Sequence, residues 1–259
     1  MAGGNGYRPG TFCWSLLASA DVGGSKAFYR GLLGLEAVGS ADWGENLARL
    51  CLDGNDVASL DELNPELAKH GVPSHWRSFI RVDDVGEMAA RTTELGGTVL
   101  GDPVDMLDWG RVSPAFDPQG GAFALWEPRA YPGAARMGDV GSLCLHELNA
   151  RDLVVARSFY TELFGWQAEE AHTAGVDYVT LTRDGAPVGG MQQQRPEWGD
   201  APPTWLCYFR VESVPAAAAR IAELGARIVF EPHEHPRGRF AVAHDPQDAV
   251  FAVLEPAAG

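Results

Sequence analysis

The 259-residue chain has four cysteines, Cys13, Cys51, Cys144 and Cys207, and none of them shares a CxxC spacing with another. This argues against a zinc cluster or a disulfide framework and for reduced thiols set in strand-like apolar runs. No apolar stretch approaches the roughly 18 residues that a membrane-crossing helix needs, so a membrane partner is not expected. The opening MAGGNGYRPGTFCW has neither a basic start nor an apolar core, which makes the cytoplasm the expected compartment. Basic residues are scarce: 20 Lys and Arg against 35 Asp and Glu leave a formal charge of −15. Such a surface repels a phosphate backbone, which excludes nucleic acid as an expected partner. It favours solubility, and it would concentrate a cationic ligand. The sequence also lacks a glycine-rich phosphate loop after a strand, a GxSxG elbow and a Cys/His nucleophile setting, which argues against hydrolases and nucleotide-dependent enzymes.

What the chain does have is a hydrophobic fraction of 46% and a length that lets a globular protein bury roughly 75% of its unfolded surface. It also repeats itself. A shift of 131 residues carries Asp21 onto Asp152, Phe28-Tyr29 onto Phe159-Tyr160 and Gly34 onto Gly165. A shift of 129 carries Trp76 onto Trp205 and Leu95-Gly96 onto Leu224-Gly225, and a shift of 128 carries Asp117-Pro118-Gln119 onto Asp245-Pro246-Gln247. So small a drift fits loop deletions between two copies of one unit.

Each copy reads as two submodules. An alternating strand such as FCWSLLASAD leads into a short helix around AFYRGLLG and then strand-like pieces at LARLCLDG and VASL. RSFIRVDD, the helix VGEMAARTTELGG, and the strands GTVLGDPVDM, GRVSPAFDP and GAFALWEP repeat that order. RAYPGAARMGDV has neither period and reads as a linker. The expected units are therefore 11–128 and 142–256, joined by 129–141.

The pattern D-x(6)-FY-x-x-L-x-G, the LGG after the second helix and the closing GR...DPQG...F-x-L-x-EP are similar to those of the vicinal oxygen chelate superfamily. That group contains glyoxalase I, the extradiol dioxygenases and the bleomycin-resistance proteins. Within it the chain most resembles two-domain glyoxalase/bleomycin-resistance-like proteins of actinobacterial type. The resemblance implies an α+β fold of four βαβββ modules forming two cup-shaped domains, with helices outside each cup and ligand inside. It leaves open whether each cup forms within one half or by exchange between halves. It also leaves activity open, because one fold hosts many functions.

Metal-dependent members of the superfamily place ligands at positions that fall here on Trp14, Arg77 and Ala124 in the first half and on Leu145, Leu206 and Ala252 in the second. None of these side chains suits a divalent cation, so no metal and no cofactor are expected. His146, one residue from Leu145, should turn to the opposite face and act as a hydrogen-bonded core histidine. His233 and His235 have same-face spacing in EPHEHPRGR but lack a third ligand in the pattern.

On this reading the inward faces carry Trp14, Leu16, Phe79, Trp126, Leu145, Glu147, Leu206, Tyr208 and Leu254. Trp43, Trp109 and Trp198, each beside Gly and an acidic residue, would form rims over the cup mouths, whereas Trp76 and Trp205 face the helices as core. Arg77, Arg81 and Arg210 also point inward, with nearby Asp or Glu as expected partners. Glu147, with no metal to bind, would be free to act as a general base or to hold a ligand. The leading expectation is a binding protein that sequesters an aromatic small molecule, with a cationic group or without one, such as an anthracycline-like natural-product antibiotic, in self-resistance or beside a biosynthetic enzyme as partner. The alternative is a metal-independent isomerase, lyase or cyclase using Glu147 and Tyr208 as acid/base groups. A metal-dependent glyoxalase or dioxygenase ranks third. The oligomeric state is left open.

Overall fold

A computed structural model describes residues 6–39, 46–173, 176–194, 201–235 and 237–257, with backbone alone for 171–173, 176 and 235. The first half runs β1 (Phe12–Ser19), α1 (Val22–Leu33), β2 (Glu36–Gly39), β3 (Ala48–Leu52), β4 (Asn55–Glu62), a short α2 (Pro65–Lys69), β5 (His75–Arg81), α3 (Val85–Glu94), β6 (Thr98–Val99), β7 (Val104–Met106), β8 (Gly110–Phe116) and β9 (Ala122–Pro128). The second runs β10 (Leu143–Ala150), α4 (Leu153–Phe164), β11 (Gln167–Thr173), β12 (Val176–Arg183), β13 (Ala186–Gln193), β14 (Thr204–Arg210), α5 (Val214–Glu223), β15 (Arg227–His235), β16 (Gly238–His244) and β17 (Val250–Pro256).

The repeated motif residues explain where α1 and α4 start and stop. Asp21 and Asp152 are the N-caps: Asp21 accepts from the Gly24 amide, and Asp152 from those of Val154 and Val155. These bonds satisfy amides that a helix leaves orphaned. Gly34 ends α1 at φ 74° and Gly165 ends α4 at φ 66°, a left-handed conformation that costs glycine little.

Among the described residues the first half forms a nine-stranded sheet, β2-β3-β4-β1-β5-β9-β8-β6 with β7 also paired to β8. The second forms an eight-stranded sheet, β11-β12-β13-β10-β14-β17-β16-β15. In each, the first strands of the two submodules join antiparallel at the centre, β1 to β5 and β10 to β14. Each cup is thus made within one half, the point that the sequence leaves open. The single strand expected at GTVLGDPVDM is instead two fragments, β6 and β7, broken where Gly101 adopts φ 81° and Pro103 offers no amide to the ladder.

The helices lie outside the cups but not outside the molecule, because the convex faces pack back to back. One buried cluster joins Phe28 and Tyr29 of α1 to Phe209, Phe251 and Val253 of the second sheet. Its counterpart joins Phe159, Tyr160 and Phe164 of α4 to Phe123, Ile80 and Leu125 of the first. Burying each such ring contributes roughly 1.5–3 kcal/mol. The motif residues hold this seam together. Tyr29 donates to Asp245 at 3.0 Å and accepts from the Trp76 indole at 2.9 Å, and Tyr160 donates to Asp117 at 3.1 Å and accepts from Trp205 at 2.7 Å. Trp76 and Trp205 are core residues, as their strand phase predicts.

At the middle of the seam, His146 is buried. Its ring stacks on Phe12 at 4.3 Å, and its Nε2 lies 3.0 Å from the hydroxyl of Ser15, its counterpart in the repeat. The Ser15 hydroxyl also touches the Cys207 thiol, which touches Ser78 in turn, each at 3.5 Å.

Candidate functional site

The strand register places side chains in the two hollows. In the first, β1 pairs Trp14 with Phe79 and Leu16 with Arg77, and β5 pairs Phe79 with Ala124 and Arg81 with Trp126. Paired residues share a face, so Trp14, Leu16, Phe79 and Trp126 meet as expected. The Trp14 ring lies 5.1 Å from Phe79 and 5.5 Å from Trp126. Trp109 joins them but corrects its expected role: it is buried and stacked on Tyr131 at 5.2 Å, and no longer a rim over an open mouth. Trp43 and Trp198 lie outside the described residues. Tyr131 comes from the linking segment and fills the space that a ligand would need. Sequence reasoning missed it because the segment has no periodicity to mark it.

In the second hollow the register pairs Leu145 with Tyr208 and Glu147 with Leu206, and sets Ala252 beside Tyr208. Phe240 and Leu254 complete a buried apolar wall, with Phe230 packed against it. Glu147 sits in this lining fully buried, and its carboxylate is not free, contrary to the sequence expectation. One of its oxygens accepts from the Tyr208 hydroxyl at 2.8 Å and from the Gln192 amide at 2.7 Å, and Gln192 also reaches Asn149 at 2.8 Å. Tyr178 and Arg237 belong to the same polar floor. Burial, followed by the charge of Glu147, raises both phenols well above the usual tyrosine range, so both remain protonated donors at neutral pH. Tyr178, Gln192 and Arg237 escape sequence reasoning because register across distant strands, not spacing, brings them to Glu147.

The other inward arginines have mixed partners. Arg81 pairs with Asp83 at 2.6 Å, Arg210 donates to the Gly138 carbonyl at 2.7 Å, and Arg77 lies 3.1 Å from His75 Nε2. His233 is exposed, and the side chain of His235 lies outside the described residues. Cys13, Cys51 and Cys207 are buried, Cys144 is partly so, and all four are free thiols. Burial pushes Cys144 up to about 12 and Cys51 up to about 11, too high for a thiolate nucleophile at neutral pH.

Gly190 is needed where it stands. A Cβ there would collide with the Tyr178 hydroxyl. Gly190→Ala is expected to swing Tyr178 off the polar floor at a cost of about 1–3 kcal/mol in stability. Melting curves should show a folded protein. An unaltered tyrosine environment by NMR would contradict this reading.

The model of the Glyoxalase/Bleomycin resistance protein/Dioxygenase superfamily matches residues 12–125 and again 143–253. The chain belongs to that superfamily. Its superfamily relatives include CFP32 of Mycobacterium tuberculosis, which carries a glyoxylase name and is 34% identical over 97% of each chain. The anthracycline biosynthesis protein DnrV of Streptomyces peucetius is 32% identical over 96% of this chain and 94% of its own. Two solved structures share the superfamily fold. One is the Mn(II)-bound glyoxalase of Novosphingobium aromaticivorans, with TM-score 0.66, 19% identity and coverage of 95% and 82%. The other is the 2,3-dioxygenase LapB of Pseudomonas sp. KL28, with TM-score 0.64, 17% identity and coverage of 96% and 93%.

The residues of this chain do not fit the cation that metal-dependent superfamily members hold. Trp14, Arg77 and Ala124 line one hollow and Leu145, Leu206 and Ala252 the other, and none of them offers a carboxylate, imidazole or thiolate. Among the described residues, no three His, Cys, Asp or Glu side chains group as a metal site.

Proposed function

We propose that the second hollow binds a planar aromatic small molecule without a metal, and that the protein sequesters this ligand. The observation that carries this reading is the Glu147, Tyr208 and Gln192 floor set among Leu145, Leu206, Phe240 and Leu254. Ligand sites combine a mostly apolar lining with a few convergent polar groups in this way. Arg237 shares the floor with Glu147, so the floor is not simply anionic. It suits ring hydroxyls and carbonyls, while the overall charge of −15 steers any attached amine from outside. An anthracycline-like compound has both features, and likeness to DnrV supports that ligand class. Self-resistance, or service to a biosynthetic enzyme by removing its product, follows from such binding.

Titrating an anthracycline against the protein by equilibrium dialysis, with mass analysis of the recovered ligand, tests the proposal. Expected are tight binding, unchanged ligand, and an affinity at least tenfold lower in Glu147→Gln, since a site built to hydrogen-bond its ligand discriminates strongly. Absence of binding overturns the reading. A second reading rests on the 2.8 Å contact between Tyr208 and Glu147, which could move a proton in a metal-independent isomerase, lyase or cyclase. Turnover abolished by Glu147→Gln would establish it. Stoichiometric metal in the purified protein would overturn both.

A further inference from the structure

The first hollow already contains a ligand-like group, and the chain supplies it. After β9 the segment from Arg129 to Met137 forms no helix or strand and crosses this hollow as a strap. The amides of Arg129 and Tyr131 both bond the Trp109 carbonyl, at 2.7 and 3.0 Å. The Ala134 amide bonds the Cys13 carbonyl at 2.8 Å, and those of Ala135 and Arg136 bond the Asp56 carbonyl at 2.7 and 3.1 Å. The Tyr7 hydroxyl holds the Ala134 carbonyl at 2.7 Å.

The ring of Tyr131 is boxed by Trp109 at 5.2 Å and Trp14 at 5.0 Å, and its carbonyl takes the Trp126 indole N–H at 3.1 Å. Its hydroxyl faces the Asp56 carboxylate. Asp56 is in turn held by Arg49 at 2.9 Å and by the Cys51 thiol at 3.2 Å. A stacked phenol whose hydroxyl faces an anchored carboxylate is how a protein would recognise a phenolic ligand. Two groups in the box are left over, the Trp14 indole N–H and the Tyr131 hydroxyl. The indole N–H of Trp14 is fully buried and finds no acceptor among the described residues. Buried donors are almost always paired, yet Tyr131 neither accepts from the Trp14 N–H nor makes a hydrogen bond through its own hydroxyl.

We propose that the first hollow is a second ligand site, selective for a planar phenol bearing a second acceptor such as a ring ketone, and that Tyr131 is its built-in competitor. The ligand's hydroxyl takes the place of the Tyr131 hydroxyl before Asp56, and its carbonyl accepts the Trp14 N–H. Entry requires the strap to lift. The apparent affinity of the intact protein is therefore the intrinsic affinity reduced by the fraction of open molecules. Nothing in this proposal depends on what the second hollow binds.

Calorimetric titration of 4-hydroxyacetophenone into wild type, Tyr131→Ala and the double variant Tyr131→Ala/Asp56→Asn tests it. The expected result is a site in Tyr131→Ala at least tenfold tighter than in wild type and weakened again in Tyr131→Ala/Asp56→Asn, whereas any binding in the second hollow is common to all three proteins. Affinity for toluene should be at least tenfold weaker, and Asp56→Asn should erase that preference. Equal affinity of Tyr131→Ala for toluene and 4-hydroxyacetophenone would mark a greasy void left by the ring and overturn the proposal. If Tyr131→Ala does not fold, hydrogen exchange on wild type decides. The Ala134 and Ala135 amides should exchange through local opening well before those of β10, and 4-hydroxyacetophenone should alter their rate. Exchange of these amides only through global unfolding sinks the removable strap.

Discussion

Lowering the pH from 7 to 4 is expected to cost wild type roughly 3 kcal/mol of stability that a His146→Gln variant does not lose. His146 is fully enclosed between the halves, and burial lowers its pKa from 6.5 to about 3. The unfolded chain takes up a proton at this residue near pH 6.5 and the folded chain does not until about pH 3, so folding loses ground through that whole window. The neutral ring carries its part of the stability in full above pH 6.5, and the full span is worth about 5 kcal/mol. Carboxylates titrate in the same range, but they do so in both proteins, so the difference between the two curves isolates the histidine. Glutamine retains a polar group toward Ser15. Urea midpoints measured at half-unit pH steps supply the test. Parallel curves for the two proteins would show that the ring is not held neutral.

The same residue shows what a sequence can reveal about this fold. Its neighbour Leu145 falls on a ligand position, and one step along a strand reverses the face, so His146 was readable as core without coordinates. The caps at Asp21, Gly34, Asp152 and Gly165 were readable for a related reason: they act locally, the aspartates through bonds to amides two or three positions away and the glycines through their own left-handed backbone. What could not be read depends on contacts made at long range. Tyr208 was legible as a neighbour of Glu147 on the same face, but nothing in the sequence announces Gln192 or Tyr178, because sheet register alone sets those partners. Without them, Glu147 looked like an unattached carboxylate. Tyr131 was hidden differently: its segment has neither helical nor strand period, and only the strap's bonds to Cys13 and Asp56 reveal where its ring goes. The aromatic lining of the first hollow was thus legible residue by residue, while the fact that the chain itself fills it was not.

Asp117→Ala is expected to destabilise the protein by about 3–5 kcal/mol, and Asp245→Ala by a similar amount. Each carboxylate does two jobs. Asp117 accepts from the amides of Gln119 and Gly121, both at 2.8 Å, and so shapes the turn of its own half, and it also receives the Tyr160 hydroxyl from the other half. Asp245 does the same with Gln247, Ala249 and Tyr29. Alanine leaves a phenol in the inter-half core with no acceptor, and neither Tyr29 nor Tyr160 can reach water instead. Asparagine should behave differently. Burial raises both carboxyls above the usual carboxylate range despite their hydrogen bonds, so the stability linked to protonation is present at low pH and lost as pH rises through the folded-state value. A neutral amide escapes that penalty at pH 7 but has one acceptor oxygen where the carboxylate uses two, Oδ1 for the turn amides and Oδ2 for Tyr160, so Asp117→Asn should recover only part of the alanine loss. The double variant Asp117→Ala/Asp245→Ala removes the clamp from both sides of the seam, and its melting should split into two transitions, one per sheet. A single cooperative transition in the double variant, or a loss near zero in either alanine variant, would show that apolar packing alone joins the halves.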